Sequence, residues 1–206
     1  MEFYERYWSK KPKRVFDTPP TPKVLNEDII RLASKYFKGH GLDLGCGVGD
    51  LAQVISEMVL VKGIYGADIS KTAVSMARAR HPKLDFIICS EEALPFKENS
   101  FDFVLLADTL EHAIDTDNML SEINYILKRG GVLLVSTTDY NWLKKFLISF
   151  IWETYFYPTS PHIRHYSKSS LSEQLRHNGF EPFYHKWNCS YFGLMPKGQI
   201  VLARKV

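Results

Sequence analysis

Short apolar runs alternate with amphipathic stretches through the middle of the chain. The apolar runs predict five buried strands, and the stretches around them repeat apolar residues at helical spacing. One helix is predicted ahead of the first strand, over 23–37, and three more follow at 51–58, 72–80 and 117–127. The predicted strands are Leu42–Leu44, Ile64–Ala67, Leu84–Cys89, Phe101–Ala107 and Val132–Ser136. Strands and helices that alternate in this way favour parallel pairing with right-handed crossovers.

The C-terminal part of the chain predicts one more helix and two more strands. The helix begins near Ser169, and Asn178 and Gly179 suit its end. The two strands lie near Phe180–Trp187 and Gln199–Arg204, and the connection between them allows the last strand to run antiparallel. We therefore expect an α/β fold: a doubly wound, Rossmann-like sheet of seven strands in three α/β/α layers, mostly parallel with an antiparallel last strand.

Two segments stand outside this alternation. The proline-rich stretch DTPPTPK separates an N-terminal arm, residues 1–22, from a domain over 23–206, and the arm is a candidate lid. Residues 139–166 form an unusually aromatic insertion after the fifth strand. That insertion suits a lid over an apolar acceptor, packing against the sheet edge, or a homodimer interface.

Composition narrows the class of protein. The 206 residues are 45% hydrophobic with a net charge of +3, which fits one globular domain and gives no reason to expect nucleic-acid binding. The three cysteines, Cys46, Cys89 and Cys189, are odd in number and widely spaced, which favours a reducing, cytoplasmic location. The N-terminus lacks the apolar core of a signal peptide, and no apolar run is long enough for a transmembrane segment.

The loop LDLGCGVGD follows the first predicted strand, where an open parallel sheet binds its ligands. Gly45, Gly47 and Gly49 lack Cβ atoms, so a ligand can lie against their main chain. Asp50 stands where a dinucleotide fingerprint needs its third glycine, and Asp43 places a carboxylate behind the loop. These acids favour a positively charged cofactor over a pyrophosphate, whereas Asp68, at the next strand tip, suits the ribose of either cofactor class.

The chain resembles the class I S-adenosylmethionine-dependent methyltransferases, in the type 11 branch that includes quinone-biosynthesis-like enzymes. The resemblance is carried by LDLGCGVGDLA, GADIS, EEALPFKENSFDFVLLADTLEHA and LKRGGVLLVSTTD, and RHYSKSSLSEQLRHNGF resembles the helix before the sixth strand. It covers roughly 41–138, with weaker similarity beyond. S-adenosyl-L-methionine is the cofactor that this resemblance implies.

The resemblance also assigns cofactor contacts. The methionine part passes along the glycine loop, the ribose hydroxyls bind Asp68, and the adenine packs on the residue that follows. Ser90 departs from the aspartate usual in the family, so the contact with the adenine amine is expected to weaken or to move to Glu91. The residues implied are Asp43, Gly45, Cys46, Gly47, Asp68, Ile69, Ser90, Glu91 and Ala107.

Catalysis needs few side chains because the sulfonium donor is already activated. A hydroxyl acceptor benefits from a base, and Asp108, His112 and His165 are the candidates, with His162 beside them. Arg164 could pair with an acceptor carboxylate or phosphate. The DTLEH stretch is similar to a metal-binding E-x-x-E-H motif of some relatives, but we expect no metal, with Glu111 and His112 capping the turn.

These observations predict an S-adenosylmethionine-dependent methyltransferase that transfers a methyl group to an oxygen of a small or lipid-like molecule. A protein or RNA acceptor is the first alternative. A non-catalytic regulatory protein that binds an adenosyl cofactor is an alternative of another class, and a nicotinamide-dependent oxidoreductase is a third.

Overall fold

The structure is a computed structural model, and it describes residues 2–10, 23–91, 93–138, 164–191 and 195–206. Most of the aromatic insertion, including His162, lies outside the described residues. The described helices are α1 (Glu2–Lys10), α2 (Lys23–Tyr36), α3 (Asp50–Ser56), α4 (Lys71–Arg80), α5 (Thr116–Ile126) and α6 (Lys168–His177). The described strands are β1 (Gly39–Leu44), β2 (Val61–Asp68), β3 (Asp85–Ile88), β4 (Phe101–Ala107), β5 (Leu127–Thr138), β6 (Phe180–Tyr191) and β7 (Met195–Lys205).

The seven strands form one sheet in the order β3-β2-β1-β4-β5-β7-β6. Strands β1 to β5 pair in parallel, and β7 runs antiparallel to both β5 and β6. This confirms the predicted mostly parallel sheet with an antiparallel last strand. The order reverses between β1 and β4, and the carboxyl ends of these two strands form the switch point at which open α/β sheets bind ligands.

Alternating side chains on the strands build two cores, one on each face of the sheet. On β4, Val104 and Leu106 point into the core that α5 and α6 cover. Phe103 and Leu105 point the opposite way, into the core under α2, α3 and α4. The three-layer α/β/α arrangement therefore follows from the strand periodicity.

Two boundaries differ from the sequence prediction. Leu127 ends the predicted helix but is the first residue of β5, since α5 ends at Ile126. Leu127 is fully buried and pairs with Phe101, so it satisfies the helical periodicity and the strand pairing equally well. The N-terminal arm contains the helix α1, which the sequence pattern did not predict.

Phe103 is the packing centre between the sheet and α2. Its ring is fully buried and stacks on Phe37 at 4.1 Å between centroids, with an angle of 13° between the planes. A Cβ atom on Gly41 of β1 would lie 2.0 Å from this ring, so only glycine at this position leaves room for the Phe103 side chain.

We expect Phe103→Ala to lower the free energy of unfolding by about 3–5 kcal/mol, because it opens a cavity between tightly packed layers. Urea denaturation followed by circular dichroism measures the loss. Val59→Ala is the control, since Val59 is 99% exposed, and it should change the free energy by less than about 0.5 kcal/mol. Equal effects of the two substitutions would contradict this account of the core.

Candidate donor and acceptor site

The glycine loop after β1 is held by the neighbouring strand. The backbone N–H groups of Gly45 and Cys46 both donate to the carbonyl of Ala67, at 2.8 and 3.0 Å. Gly45 has a φ of 78°, and a Cβ atom there would lie 2.3 Å from the Thr109 hydroxyl. Position 45 therefore requires glycine for its conformation and for the close approach of the β4 loop.

Asp68, at the end of β2, joins the glycine loop to α4. Its Oδ2 accepts a hydrogen bond from the Gly47 N–H at 2.8 Å, and its Oδ1 accepts one from the Ser70 N–H at 2.9 Å. Burial raises the pKa of Asp68, while these two hydrogen bonds lower it. Ser70 itself caps α4, with its hydroxyl accepting from the Ala73 N–H at 3.2 Å, so the carboxylate of Asp68 is not needed as a cap.

Asp43 lies behind the loop and is almost fully buried. Its Oδ2 has no hydrogen-bond partner among the described residues. Burial, helped by the nearby charge of Asp68, raises the pKa of Asp43 to about 7. Burial, together with both carboxylates, also raises the pKa of the Cys46 thiol, which keeps this thiol neutral and excludes it as a nucleophile.

The charges of Asp43 and Asp68 indicate which kind of cofactor the site can bind. S-adenosylmethionine carries a sulfonium and an ammonium group, and the two buried carboxyls Asp43 and Asp68 beside the glycine loop complement such a ligand. A pyrophosphate would meet the same acids as like charges. The residues around the glycine loop therefore fit the cofactor that the sequence resemblance implied.

The predicted adenine contacts follow the next strand tips. Ile69 comes directly after β2 and is half-buried, as are Ser90 and Glu91 just beyond β3. The Cys89 N–H donates to the Asp68 carbonyl at 3.2 Å, which brings the loop after β3 beside the tip of β2. Ile69, Ser90 and Glu91 therefore lie together just beyond the carboxyl ends of β2 and β3.

Helix α1 lies against this same region. The Glu5 carboxylate accepts hydrogen bonds from the Lys71 N–H and from the Thr72 hydroxyl, the latter at 2.7 Å, at the start of α4. Trp8 reaches the glycine loop, because a Cβ atom on Gly47 would lie 2.9 Å from its indole ring. The N-terminal arm thus contacts both the glycine loop and the start of α4, which Asp68 joins.

The turn after β4 carries two acids, of which Asp108 is the first. Asp108 has a left-handed backbone, with a φ of 52°, and is half-buried directly beyond Ala107. Its N–H donates to the Ser136 carbonyl at 3.0 Å, and its Oδ1 accepts from the Ser136 hydroxyl at 3.0 Å. Burial raises the pKa of Asp108, and the bond from Ser136 partly offsets the rise.

Glu111 lies one turn further on and has no exposed surface. Its Oε2 accepts a hydrogen bond from the Thr137 hydroxyl at 2.8 Å, and its Oε1 has no partner among the described residues. Burial, and next the charge of Asp108, raise the pKa of Glu111 to about 8. This carboxyl is held protonated or nearly so at neutral pH, which makes it an unusual group beside a strand tip.

The other predicted catalytic residues are placed differently. His112 is half-buried on the same turn, whereas His165 is exposed and partial burial lowers its pKa. Arg164 donates to the Ile114 carbonyl at 2.7 Å and to the Ala113 carbonyl at 3.4 Å, so its guanidinium fastens the chain after the insertion to the β4 turn. Among the described side chains, no group of three or more His, Cys, Asp or Glu residues could hold a metal ion.

Sequence reasoning did not assign a role to several of these residues. The sequence predicts only a capping role for Glu111, and it assigns no role to Ser136, the last residue of the predicted fifth strand, or to Thr137 beyond it. The signal for them was the change from apolar to hydroxyl residues in LLVSTTD, at the end of a buried strand. Glu5 and Trp8 carried no signal, because contacts between remote parts of a chain leave no local pattern.

Comparison with known proteins adds to this geometry. Residues 42–135 match a family model described as a methyltransferase domain. A ubiquinone/menaquinone biosynthesis C-methyltransferase, UbiE of Stenotrophomonas maltophilia, is 39% identical over 113 residues, which cover 50% of this chain and 45% of UbiE. The human mitochondrial arginine-hydroxylase NDUFAF5 is 38% identical over 143 residues, which cover 65% of this chain and 41% of the relative.

A solved structure, that of the PH0226 protein of Pyrococcus horikoshii, superposes with a TM-score of 0.76 at 18% identity and covers 98% of this chain and 99% of its own. At that identity the likeness shows the shared fold. The chain spans less than half the length of UbiE and of NDUFAF5. The matched segment contains the glycine loop and the acid at the tip of β2, and it contributes strands to the sheet described above. Residues 42–135 belong to the methyltransferase domain of the class I S-adenosylmethionine-dependent methyltransferases, type 11 branch.

Proposed function

We propose that the protein is an enzyme that binds S-adenosyl-L-methionine and transfers its methyl group to an oxygen of a small or lipid-like molecule. The observation that carries the proposal is the glycine loop enclosed by two buried acids, Asp43 with an unpartnered oxygen and Asp68 at the tip of β2. This arrangement suits a cationic adenosyl cofactor. The family of residues 42–135 supports the same conclusion.

The roles proposed for the donor site follow the order of the strands. The methionine part lies along Gly45, Cys46 and Gly47, with its ammonium near Asp43. Asp68 holds the ribose hydroxyls, and the adenine lies between Ile69 and the loop after β3. Ser90 and Glu91 serve the adenine amine, while Ala107 lines the methyl end. All of these residues lie at the carboxyl edge of the sheet, where such ligands bind.

The cofactor, when bound, supplies a methyl group on a positively charged sulfur. The chain's part is to hold the acceptor atom in line with that methyl group and to exclude water, and such positioning can lower the barrier by about 7–11 kcal/mol. A hydroxyl acceptor also has to lose a proton. We propose Asp108, His112 and His165 as the groups available to take that proton, of which Asp108 and His112 lie on the turn after β4.

The acceptor is the less constrained half of the proposal. UbiE is named as a C-methyltransferase and NDUFAF5 as an arginine-hydroxylase, so relatives with this domain differ in the group on which they act. A net charge of only +3 disfavours an RNA acceptor, although a protein acceptor is the first alternative. A non-catalytic regulatory protein would share the donor site but would turn over no cofactor.

We further propose a cytoplasmic location, supported by the free thiols of Cys46 and Cys89. No helix in the described part of the chain is long and apolar enough to cross a membrane. A homodimer is proposed on the aromatic insertion alone, which lies mostly outside the described residues.

The N-terminal arm is proposed as a lid on the donor site. Glu5 and Trp8 lie three residues apart on one face of α1, and they contact α4 and the glycine loop respectively. Burial is the main cause that raises the pKa of Asp68 and the Glu5 charge raises it further, so the two carboxylates repel each other even though each already accepts hydrogen bonds. A bound adenosyl cofactor would relieve this repulsion and hold α1 in place.

Replacing Asp68 with Ala should weaken the binding of S-adenosylhomocysteine about ten- to a hundredfold, because a charged acceptor for the ribose hydroxyls is lost. Isothermal titration calorimetry measures the affinity. Asp102→Asn is the control: Asp102 accepts from the His40 N–H and the Lys128 ammonium at 2.8 Å each, at the opposite edge of the sheet, and its loss should leave the affinity unchanged. Binding of NAD without binding of S-adenosylhomocysteine would overturn the proposed function.

Replacing Trp8 with Ala should weaken the binding of S-adenosylhomocysteine about two- to tenfold, mainly through faster dissociation, because an aromatic wall of the site is removed. Stopped-flow displacement measures the dissociation rate. Ser9→Ala is the matched control, since Ser9 lies on the same helix, is exposed, and bonds only to the Arg6 carbonyl among the described residues. Equal dissociation rates for the two variants would contradict the proposal that α1 is a lid, but not the proposed donor site.

A further inference from the structure

The first turn of α4 binds two carboxylates that come from distant parts of the chain. The Ser70 N–H donates to Oδ1 of Asp68 at 2.9 Å. The next two residues donate to Glu5 of α1: the Lys71 N–H binds Oε1, and the Thr72 N–H and hydroxyl bind Oε2 at 3.3 and 2.7 Å. Adjacent N–H groups of one helical turn therefore hold Asp68 and Glu5, and both acids lie at the start of α4.

Helix α4 does not need Glu5 as its cap. Its N-cap is Ser70, whose hydroxyl accepts a hydrogen bond from the Ala73 N–H at 3.2 Å. Lys71 is exposed, so water can satisfy the N–H groups that a helix leaves open at its start. The N-terminal arm therefore brings a carboxylate to a helix that already has a cap of its own.

Helix α1 spans the carboxylate of Asp68. Oδ2 of Asp68 accepts from the Gly47 N–H at 2.8 Å, and Trp8 lies against Gly47, where a Cβ atom would be 2.9 Å from the indole ring. Glu5 lies three residues before Trp8 on the same face of α1 and binds the start of α4. A ligand bound to Asp68 therefore meets Trp8 on the side of the glycine loop and Glu5 on the side of α4.

Glu5 is a charged group at neutral pH. The hydrogen bond from the Thr72 hydroxyl is the main cause that lowers the pKa of Glu5, and the N–H groups of Lys71 and Thr72 lower it further against the rise from burial. Burial raises the pKa of Asp68, and the Glu5 charge adds to that rise, as expected for two acids on one helical turn. Two acids thus border the position proposed for the ribose hydroxyls.

The end of the second strand is where nucleotide-binding sheets of this type distinguish a free ribose from a phosphorylated one. An acid at this position binds the 2′-hydroxyl, whereas a nearby arginine admits a 2′-phosphate. The N-terminus of a helix also attracts phosphates, because its N–H groups and its dipole favour an anion. In this chain, Glu5 already occupies the N–H groups that such a phosphate would use.

We propose that Glu5 is a specificity residue of the donor site. Together with Asp68, it restricts the site to adenosyl ligands whose ribose hydroxyls are free, and it excludes ligands that carry a phosphate on the ribose. Such a phosphate would meet the charge of Glu5 and would find two N–H groups of α4 already bonded. This role rests on the proposed cofactor binding and deepens it, because it gives the N-terminal arm a part in selecting the ligand.

The test compares adenosine with adenosine 2′-monophosphate, which differ only in the phosphate. Displacement of S-adenosylhomocysteine, followed by calorimetry, measures both affinities, and their ratio measures the discrimination. We expect the unaltered protein to bind the monophosphate at least about tenfold more weakly than adenosine. Glu5→Gln should reduce this ratio about five- to tenfold, because it removes the charge and keeps the shape of the side chain.

Two control variants separate the charge of Glu5 from the docking of α1. Thr72→Val removes one hydrogen bond to Glu5 but leaves its carboxylate and both backbone donors, so the ratio should not change. Glu173→Gln makes the same charge change at an exposed residue of α6, on the opposite face of the sheet from α4, and should also leave the ratio unchanged. An equal reduction in Thr72→Val and Glu5→Gln would assign the effect to docking and overturn the proposal.

Ionic strength provides a second measurement, because Glu5 is only partly buried and salt screens its charge. Between about 10 mM and about 1 M salt the Debye length falls from about 30 Å to about 3 Å, so the discrimination should decrease, and it should decrease less in Glu5→Gln. Equal ratios in the unaltered protein and Glu5→Gln at every salt concentration would overturn the role of Glu5 and leave the donor site standing. If neither adenosine nor S-adenosylhomocysteine binds the unaltered protein, the proposed function itself is overturned.

Discussion

The two hydrogen bonds that Asp68 accepts hold the donor site together. The Gly47 N–H belongs to a loop of glycines in left-handed conformations, which has little preference of its own for one shape. The Ser70 N–H belongs to the first turn of α4, which is anchored in the core. Because the Asp68 carboxylate accepts both hydrogen bonds, it fixes the glycine loop against α4. Helix α1 packs against the same loop and the start of α4.

The same site concentrates acids where a core would ordinarily exclude them. Asp43 and Glu111 are almost wholly removed from water and Asp108 is half-buried, and burial raises the pKa of each. Burying such groups lowers stability unless a ligand compensates, and functional sites are where proteins retain this cost. The acids lie on both sides of the glycine loop, so the site as a whole complements a ligand that brings positive charge and protons.

The sequence predicted the strands around the donor half because their determinants are local. Glycines in a turn, an acid at a strand tip and alternating strand residues such as Phe103 and Val104 each leave a pattern within a few positions. The contacts it missed join distant parts of the chain: Glu5 binds Thr72, and Glu111 binds Thr137. Leu127 was misplaced for a related reason, since the pairing that places it in a strand lies with Phe101, outside any local window.

This division explains why the family alone does not fix the acceptor. The residues proposed to hold the cofactor come from the ends of β1, β2 and β3, and a solved structure of only 18% identity shares the fold that places them. The residues proposed to lie nearest the acceptor come from the turn after β4, where side chains can change without disturbing that sheet. Asp108 and Glu111 lie there, supported by Ser136 and Thr137 rather than by the shared loop. The turn after β4 is therefore where we expect this chain to differ from relatives that act on other chemical groups.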